Sequence, residues 1–230
     1  MHVIKTGRNM LWILAIGLLP AAGSLAYFVV EVLPEFAGGG GGMRSAGTSA
    51  RRLFDPDRDL RRASAEVEIS GNVDARRRLA AELIARGQYD RVIEVCRAGL
   101  TGIFEHEPTL LLALARAQFA KEDYPAARSS LERLLQNNAE FKSAEARLLY
   151  ARTLEADGAL AEAEREYAAI APEYPGAEAR LRYALLLKRR GKSADAQRVI
   201  VELLQSAKIA PAHFRRAQAE WLARARRELS

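Results

Sequence analysis

Cysteine is almost absent from this chain of 230 residues. Cys96 stands alone, so no intramolecular disulfide can form and no second thiol is at hand for a metal or redox pair. Histidine occurs only at His2, His106 and His213, never in the HExxH spacing of a zinc protease. There is no GxSxG elbow, no CxxC pair and no phosphate loop closed by Lys-Ser or Lys-Thr. Cys96 therefore reads as a buried inert thiol, and His106 and His213 as solvated side chains. The chain is expected to be no enzyme and to bind no cofactor or metal. Aromatic residues are scarce too, at 7%, while Ala, Leu, Arg and Glu abound. Those four lose little rotamer freedom in a helix, which predicts an all-α protein.

Long apolar runs are missing with one exception. Residues 11–30, LWILAIGLLPAAGSLAYFVV, contain no charge over 20 positions. That is close to the length that crosses ~30 Å of hydrocarbon at about 1.5 Å per residue. Lys5 and Arg8 precede the run, Glu31 and Glu35 follow it, and Trp12 and Tyr27 lie near its ends, where amphipathic rings favour the interface. Pro20 removes one backbone donor from the segment. The pattern predicts a transmembrane helix within a membrane anchor at 1–36. Two readings compete with it. In a cleaved signal peptide, Lys5 and Arg8 form the basic start, 10–19 the apolar stretch and Ser24-Leu25-Ala26 the small-x-small site. The apolar run, however, continues through Tyr27-Phe28-Val29-Val30. The other competitor is a buried soluble helix.

Trp12, Leu19-Pro20, Gly23, Ala26-Tyr27 and Glu31 together resemble the N-terminal membrane region of cardiolipin synthases and related phospholipase-D-type proteins, over about 30 residues. In that family the matching helix usually follows another apolar span and a short basic loop. Residues 2–8 resemble that loop, and the earlier span has no counterpart here. The family's nucleophile sits in an HxKxxxxD motif. His2 precedes Lys5 by one residue too many, and no other His is followed by Lys at the required spacing, so the resemblance implies membrane location and not lipid synthesis.

Five consecutive glycines at 38–42 cost most to order, which predicts a flexible linker over 37–54. A lead-in helix is expected over 55–70, opened by Asp55-Pro56 as cap and first-turn proline and ended near Ser70-Gly71.

The remaining chain, 71–230, repeats itself. Ala80, Ala115, Ala151 and Ala184 recur at separations of 35, 36 and 33 residues. Seven residues after each comes a turn position: Gly87, Glu122, Gly158, Gly191. Five further come Val92, Ala127, Ala163 and Ala196, and four beyond those Cys96, Leu131, Tyr167 and Ile200. A period near 34 with two helices per unit resembles the tetratricopeptide repeat (TPR). Small residues let the hairpin helices approach, and larger ones fill the gap to the next unit. The expected fold is a TPR-like solenoid of about four hairpins. A single capping helix over 210–230 is expected to close it, burying Phe214, Ala217, Trp221, Ala225 and Leu229. Glu122 in place of a turn glycine, the long connection 101–108 and the missing consensus Trp and Tyr depart from the family pattern. With YPGAEARLRYALLLKRRG at 174–191 and APAHFRRAQAEWLARARREL at 210–229, the region 70–230 also resembles bacterial membrane-tethered TPR proteins, which implies an inner-membrane location.

The net charge is +6, with 35 basic and 29 acidic residues mixed along the chain. A solvated arginine-rich surface explains this, as does attraction to anionic lipid or to an acidic partner. No basic stripe is interleaved with exposed aromatics, so nucleic acid is not expected. In a TPR solenoid the first helices line the concave surface. By register this surface takes Arg77, Leu112, Arg116, Phe119, Leu148, Arg152, Leu181, Lys188 and Arg189, apolar patches ringed by positive charge that suit an extended peptide or helix with acidic and aliphatic residues. The asparagines of carboxylate-clamp TPR domains are absent from these positions, so that specificity is not implied. The sequence thus predicts a membrane-tethered, non-catalytic scaffold for protein partners. Two alternatives stand beside it: an accessory of anionic-lipid or envelope metabolism that contacts the membrane surface, and a periplasmic TPR protein released by signal-peptide cleavage. Lys5 and Arg8 on one side of the apolar run and Arg44, Arg51 and Arg52 on the other leave orientation open, with a cytoplasmic solenoid preferred.

Overall fold

The computed structural model describes residues 57–229; the apolar run 11–30, the glycine linker and the Asp55-Pro56 cap lie outside the described residues. Leu60 opens the second of two units into which the chain divides, and the architecture below is that of this unit. Eleven α-helices and no strand occur among the described residues. They are α1 (Arg58–Ser70), α2 (Val73–Ala85), α3 (Tyr89–Gly99), α4 (Pro108–Ala120), α5 (Tyr124–Asn137), α6 (Ala144–Ala156), α7 (Leu160–Ile170), α8 (Glu178–Arg189), α9 (Ser193–Ile209), α10 (Ala212–Ala217) and α11 (Ala219–Arg227). Among them none is long and apolar enough to cross a membrane.

Four hairpins, α2/α3, α4/α5, α6/α7 and α8/α9, follow one another. Their starts are written in the sequence: Asn72, Glu107, Asp123 and Ser143 each accept a hydrogen bond from the backbone N–H three residues on. Such caps satisfy donors that the helix itself leaves orphaned. Pro108 and Pro125 occupy the first turn, where the missing N–H costs nothing.

All four hairpin turns share one construction. The residues at the turn register take left-handed backbone angles: Gly87 (φ 67), Glu122 (φ 62), Gly158 (φ 83) and Gly191 (φ 78). The N–H of the following residue then reaches back five positions: Gln88 to Leu83, Asp123 to Gln118, Ala159 to Leu154 and Lys192 to Leu187, at 2.9–3.0 Å. This pairing is the Schellman closure, and it explains why the helix direction reverses at the same register each time.

The repeated small residues are buried as their spacing requires. Ala80, Ala115, Ala151 and Ala184 face Val92, Ala127, Ala163 and Ala196, with Cys96, Leu131, Tyr167 and Ile200 filling the next layer, all inside the core. One repeat breaks the apolar rule. Gln118 stands where the others place Leu83, Leu154 and Leu187, and it is equally buried. Its side-chain oxygen accepts from the Ser130 hydroxyl at 2.7 Å, so the polar pair satisfies itself across the hairpin.

The C-terminal cap differs from the single helix expected. It breaks at Gln218 into α10 and α11. The Gln218 side-chain oxygen accepts from the Ala177 N–H at 3.0 Å, and this anchor turns α11 onto α8 and α9. The apolar register rotates accordingly: Leu222 and Ala225 are buried, Trp221 and Phe214 are half-buried, while Ala217 and Leu229 face solvent.

Candidate interaction groove

The first helices of successive repeats touch one another, α2 with α4 and α4 with α6, and so form the inner layer of the stack. Two depressions follow this layer. The first, about 400 Å³, lies between α2 and α4 and is lined by Asp74, Arg77, Arg78, Ile84, Thr109 and Arg116. The second, about 330 Å³, runs from α4 over α6 towards α8 and is lined by Arg116, Phe119, Glu145, Leu148, Arg152, Tyr174 and Glu178. Arg116 borders both, which makes them one strip across the first helices.

The electrostatics of this strip are a ladder. Arg116 pairs with Glu145 of the next repeat. One repeat further, Arg152 approaches Glu178 at 3.9 Å. Each arginine directly follows its repeat alanine, and each glutamate lies six residues before the next one. The same register therefore recurs, unit to unit. Glu178 also accepts from Arg182 Nε at 2.7 Å, and the Arg182 guanidinium lies 5.3 Å from the Trp221 ring centre of the cap. The Arg152 guanidinium covers the Phe119 ring, and its Nε is buried without a hydrogen-bond partner. Burial first, then the Glu178 and Glu145 carboxylates, raise the pKa of Tyr174, which keeps its hydroxyl a neutral donor.

Of the nine residues placed at the concave surface by register, five line the strip: Arg77, Arg116, Phe119, Leu148 and Arg152. The leucines need correcting in their role. Leu112, Leu148 and Leu181 are 7%, 3% and 0% exposed, so they belong chiefly to the core, with Leu148 forming floor and not contact surface. A first helix of a hairpin packs against both its own partner and the preceding repeat, and that consumes more of its circumference than the register argument allowed. Lys188 and Arg189 lie outside both depressions. Lys188 pairs with Glu228 of the cap at 2.9 Å, and Arg189 with Glu155 at 2.6 Å. The charge also differs from the expected positive ring, because the groove arginines are matched by carboxylates. Glu145, Tyr174 and Glu178 were missed by sequence reasoning. Extending the repeat register six residues upstream of each alanine gives Asp74, Thr109, Glu145 and Glu178, and would have found the acidic half of the ladder.

Cys96, His106 and His213 behave as their sequence context suggested. Cys96 is buried, and desolvation with the Glu107 carboxylate pushes its pKa up to about 12. His106 sits in the α3–α4 connection, where its Nδ1 accepts from Arg133 Nε at 3.4 Å. His213 lies at the exposed start of α10.

The fold has counterparts among solved structures. Two crystal structures of MamA superpose with TM-scores of 0.61 and 0.60 at 18% and 20% identity, covering 70% and 72% of this chain and 94% and 92% of theirs. YrrB, described as a TPR protein with an unusual peptide-binding site, superposes at TM-score 0.54 and 19% identity over 71% of this chain and 82% of its own. The described chain has a TPR-type fold. Its sequence matches no family profile and no curated protein.

Proposed function

We propose that the chain is a membrane-tethered TPR scaffold that holds a partner protein's peptide segment along its first-helix groove and performs no chemistry. The observation that carries this reading is the continuous strip from α2 to α8, in which Phe119 and Tyr174 offer ring surface between arginine–glutamate rungs. A peptide carboxylate can replace a rung glutamate at Arg116 or Arg152, and an aliphatic side chain can lie against Phe119. The TPR-type fold supports the reading, since YrrB is described as binding peptide. The tether is the uncharged run 11–30, which sets the solenoid at the bacterial inner membrane, on the cytoplasmic side.

The test is capture of partners from solubilised membranes by the full chain and by the Arg116→Glu/Arg152→Glu variant. Loss of a defined subset of partners supports the groove, and an unchanged partner list rejects it. Protease protection of the solenoid in intact spheroplasts, lost on lysis, supports the cytoplasmic side; digestion in intact spheroplasts rejects it.

A further inference from the structure

The opposite end of the stack carries a second groove with a different electrostatic character. Between α9 and α11 lies a depression of about 470 Å³. From α9 it takes Val201, Leu204 and Lys208, one face of that helix at positions i, i+3 and i+7. From α11 and the residues after it come Leu222, Arg226 and Leu229, again on one face. Val201 and Leu229 are 40% and 39% exposed, so an apolar floor is open to solvent where the last unit of a solenoid would ordinarily present a polar cap.

Charge separates this groove from the first. The concave arginines Arg116, Arg152 and Arg182 face carboxylates. Here no acidic residue lines the depression, and among the described residues neither Lys208 nor Arg226 has a carboxylate partner. Arg215, also at the rim, donates to the Ala210 carbonyl at 2.5 Å, which fixes its position without neutralising it. Residues 201–229, which supply the whole lining, hold the cations Lys208, Arg215, Arg216, Arg224, Arg226 and Arg227 against Glu202, Glu220 and Glu228; none of these carboxylates lines the depression, and Glu228 pairs with Lys188.

We infer that the α9/α11 groove is a second docking site, which takes an amphipathic helix of a partner protein whose apolar ridge is flanked by Asp and Glu. The shape is a trough between an apolar ridge of α9 and one of α11, the form that receives a helix by its i, i+3, i+4 and i+7 side chains. The uncompensated rim selects the sign of the partner's flanks.

The full chain in mild detergent is titrated with three labelled synthetic peptides: an amphipathic helix with a Leu ridge and Glu flanks, the same helix with Lys flanks, and a scramble of the first. The Glu peptide binds and the other two do not. Lys208→Glu with Arg226→Glu weakens the Glu peptide by about tenfold or more, equivalent to about 1.4 kcal/mol, and shifts preference to the Lys peptide. The Glu peptide also suits the concave groove, so the decisive comparison is made in the Arg116→Glu/Arg152→Glu background, where the Glu peptide still binds and the Lys208→Glu/Arg226→Glu reversal still weakens it; this keeps the result separate from the fate of the concave groove. In that background, binding no better than the scramble overturns the proposal, as does affinity that survives the charge reversal. Should the reversal abolish attachment to phosphatidylglycerol vesicles while leaving peptide affinity intact, the cations serve a lipid surface and the proposal is likewise overturned.

Discussion

The Arg152 guanidinium lies 4.9 Å from the centre of the Phe119 ring, cation over aromatic face, joining the third hairpin to the second. Its other neighbour, Glu178 at 3.9 Å, belongs to the fourth hairpin. One side chain on α6 thus touches three consecutive units. Phe119 is in turn held edge-on to Tyr124, with ring centres 5.5 Å apart. In a double-mutant cycle of Phe119→Leu and Arg152→Met, chemical denaturation should give a coupling of about 0.5–1 kcal/mol. A cycle that closes with no coupling would show the contact to be mere proximity.

Glu122 is the one non-glycine residue with positive φ among those described, at 62°. An L side chain there costs about 1–2 kcal/mol relative to a right-handed conformation. Glu122→Gly removes that strain but loosens the unfolded chain, so a net gain of about 0.5–1 kcal/mol is expected. Gly158→Ala and Gly191→Ala should lose about 1 kcal/mol each, although a Cβ at either position meets nothing within 4 Å. Opposite signs in thermal unfolding would identify backbone angle, and not crowding, as the cause.

Alkaline pH should destabilise the fold. The Cys96 thiol is raised from 9.0 to about 12 and Tyr150 from 10.0 to about 12, both chiefly by burial. Above pH 9 the unfolded chain releases these protons while the folded chain keeps them. The unfolded state then binds fewer protons, so stability falls as pH rises from about 9 to 12. Cys96→Ala should flatten the lower part of that slope in urea titrations at stepped pH. At pH 8 iodoacetamide should modify Cys96 only after denaturation; rapid labelling of the folded chain would contradict its burial.

Gln218→Ala should release the cap. It leaves the Ala177 N–H, on a fully buried residue, without its acceptor, at a cost of about 1–3 kcal/mol. Hydrogen exchange should show the Ala177 amide and α11 losing protection while α2–α5 keep theirs. Uniform loss along the whole stack would argue against a local clasp.

The hairpins were legible because their signals are local and repeated. Ala80 to Ala184 fix the close approach, and the turn glycines fix the reversal. Even Glu122 could be placed by register alone, despite lacking the residue type that its backbone angle favours. The cap was read less well. Its break depends on Gln218 finding Ala177, 41 positions away, a contact that no helical periodicity announces. Register places Leu112 and Leu181 at the groove, because spacing gives a face but not how far neighbouring hairpins wrap around it. The buried Gln118–Ser130 pair escaped for a related reason: each residue alone looks like an ordinary polar surface position, and only the packed hairpin brings them to 2.7 Å.

The three apolar clusters of the stack draw on almost consecutive stretches of chain: Leu60 to Leu149, Leu148 to Leu186 and Ala177 to Ala225. Hardly any core residue waits for a partner far downstream. As the chain leaves the ribosome, each hairpin can therefore settle on a finished predecessor before the following one has been made. Synthesis order and assembly order coincide, and the cap, translated after the hairpins, seals a structure already standing.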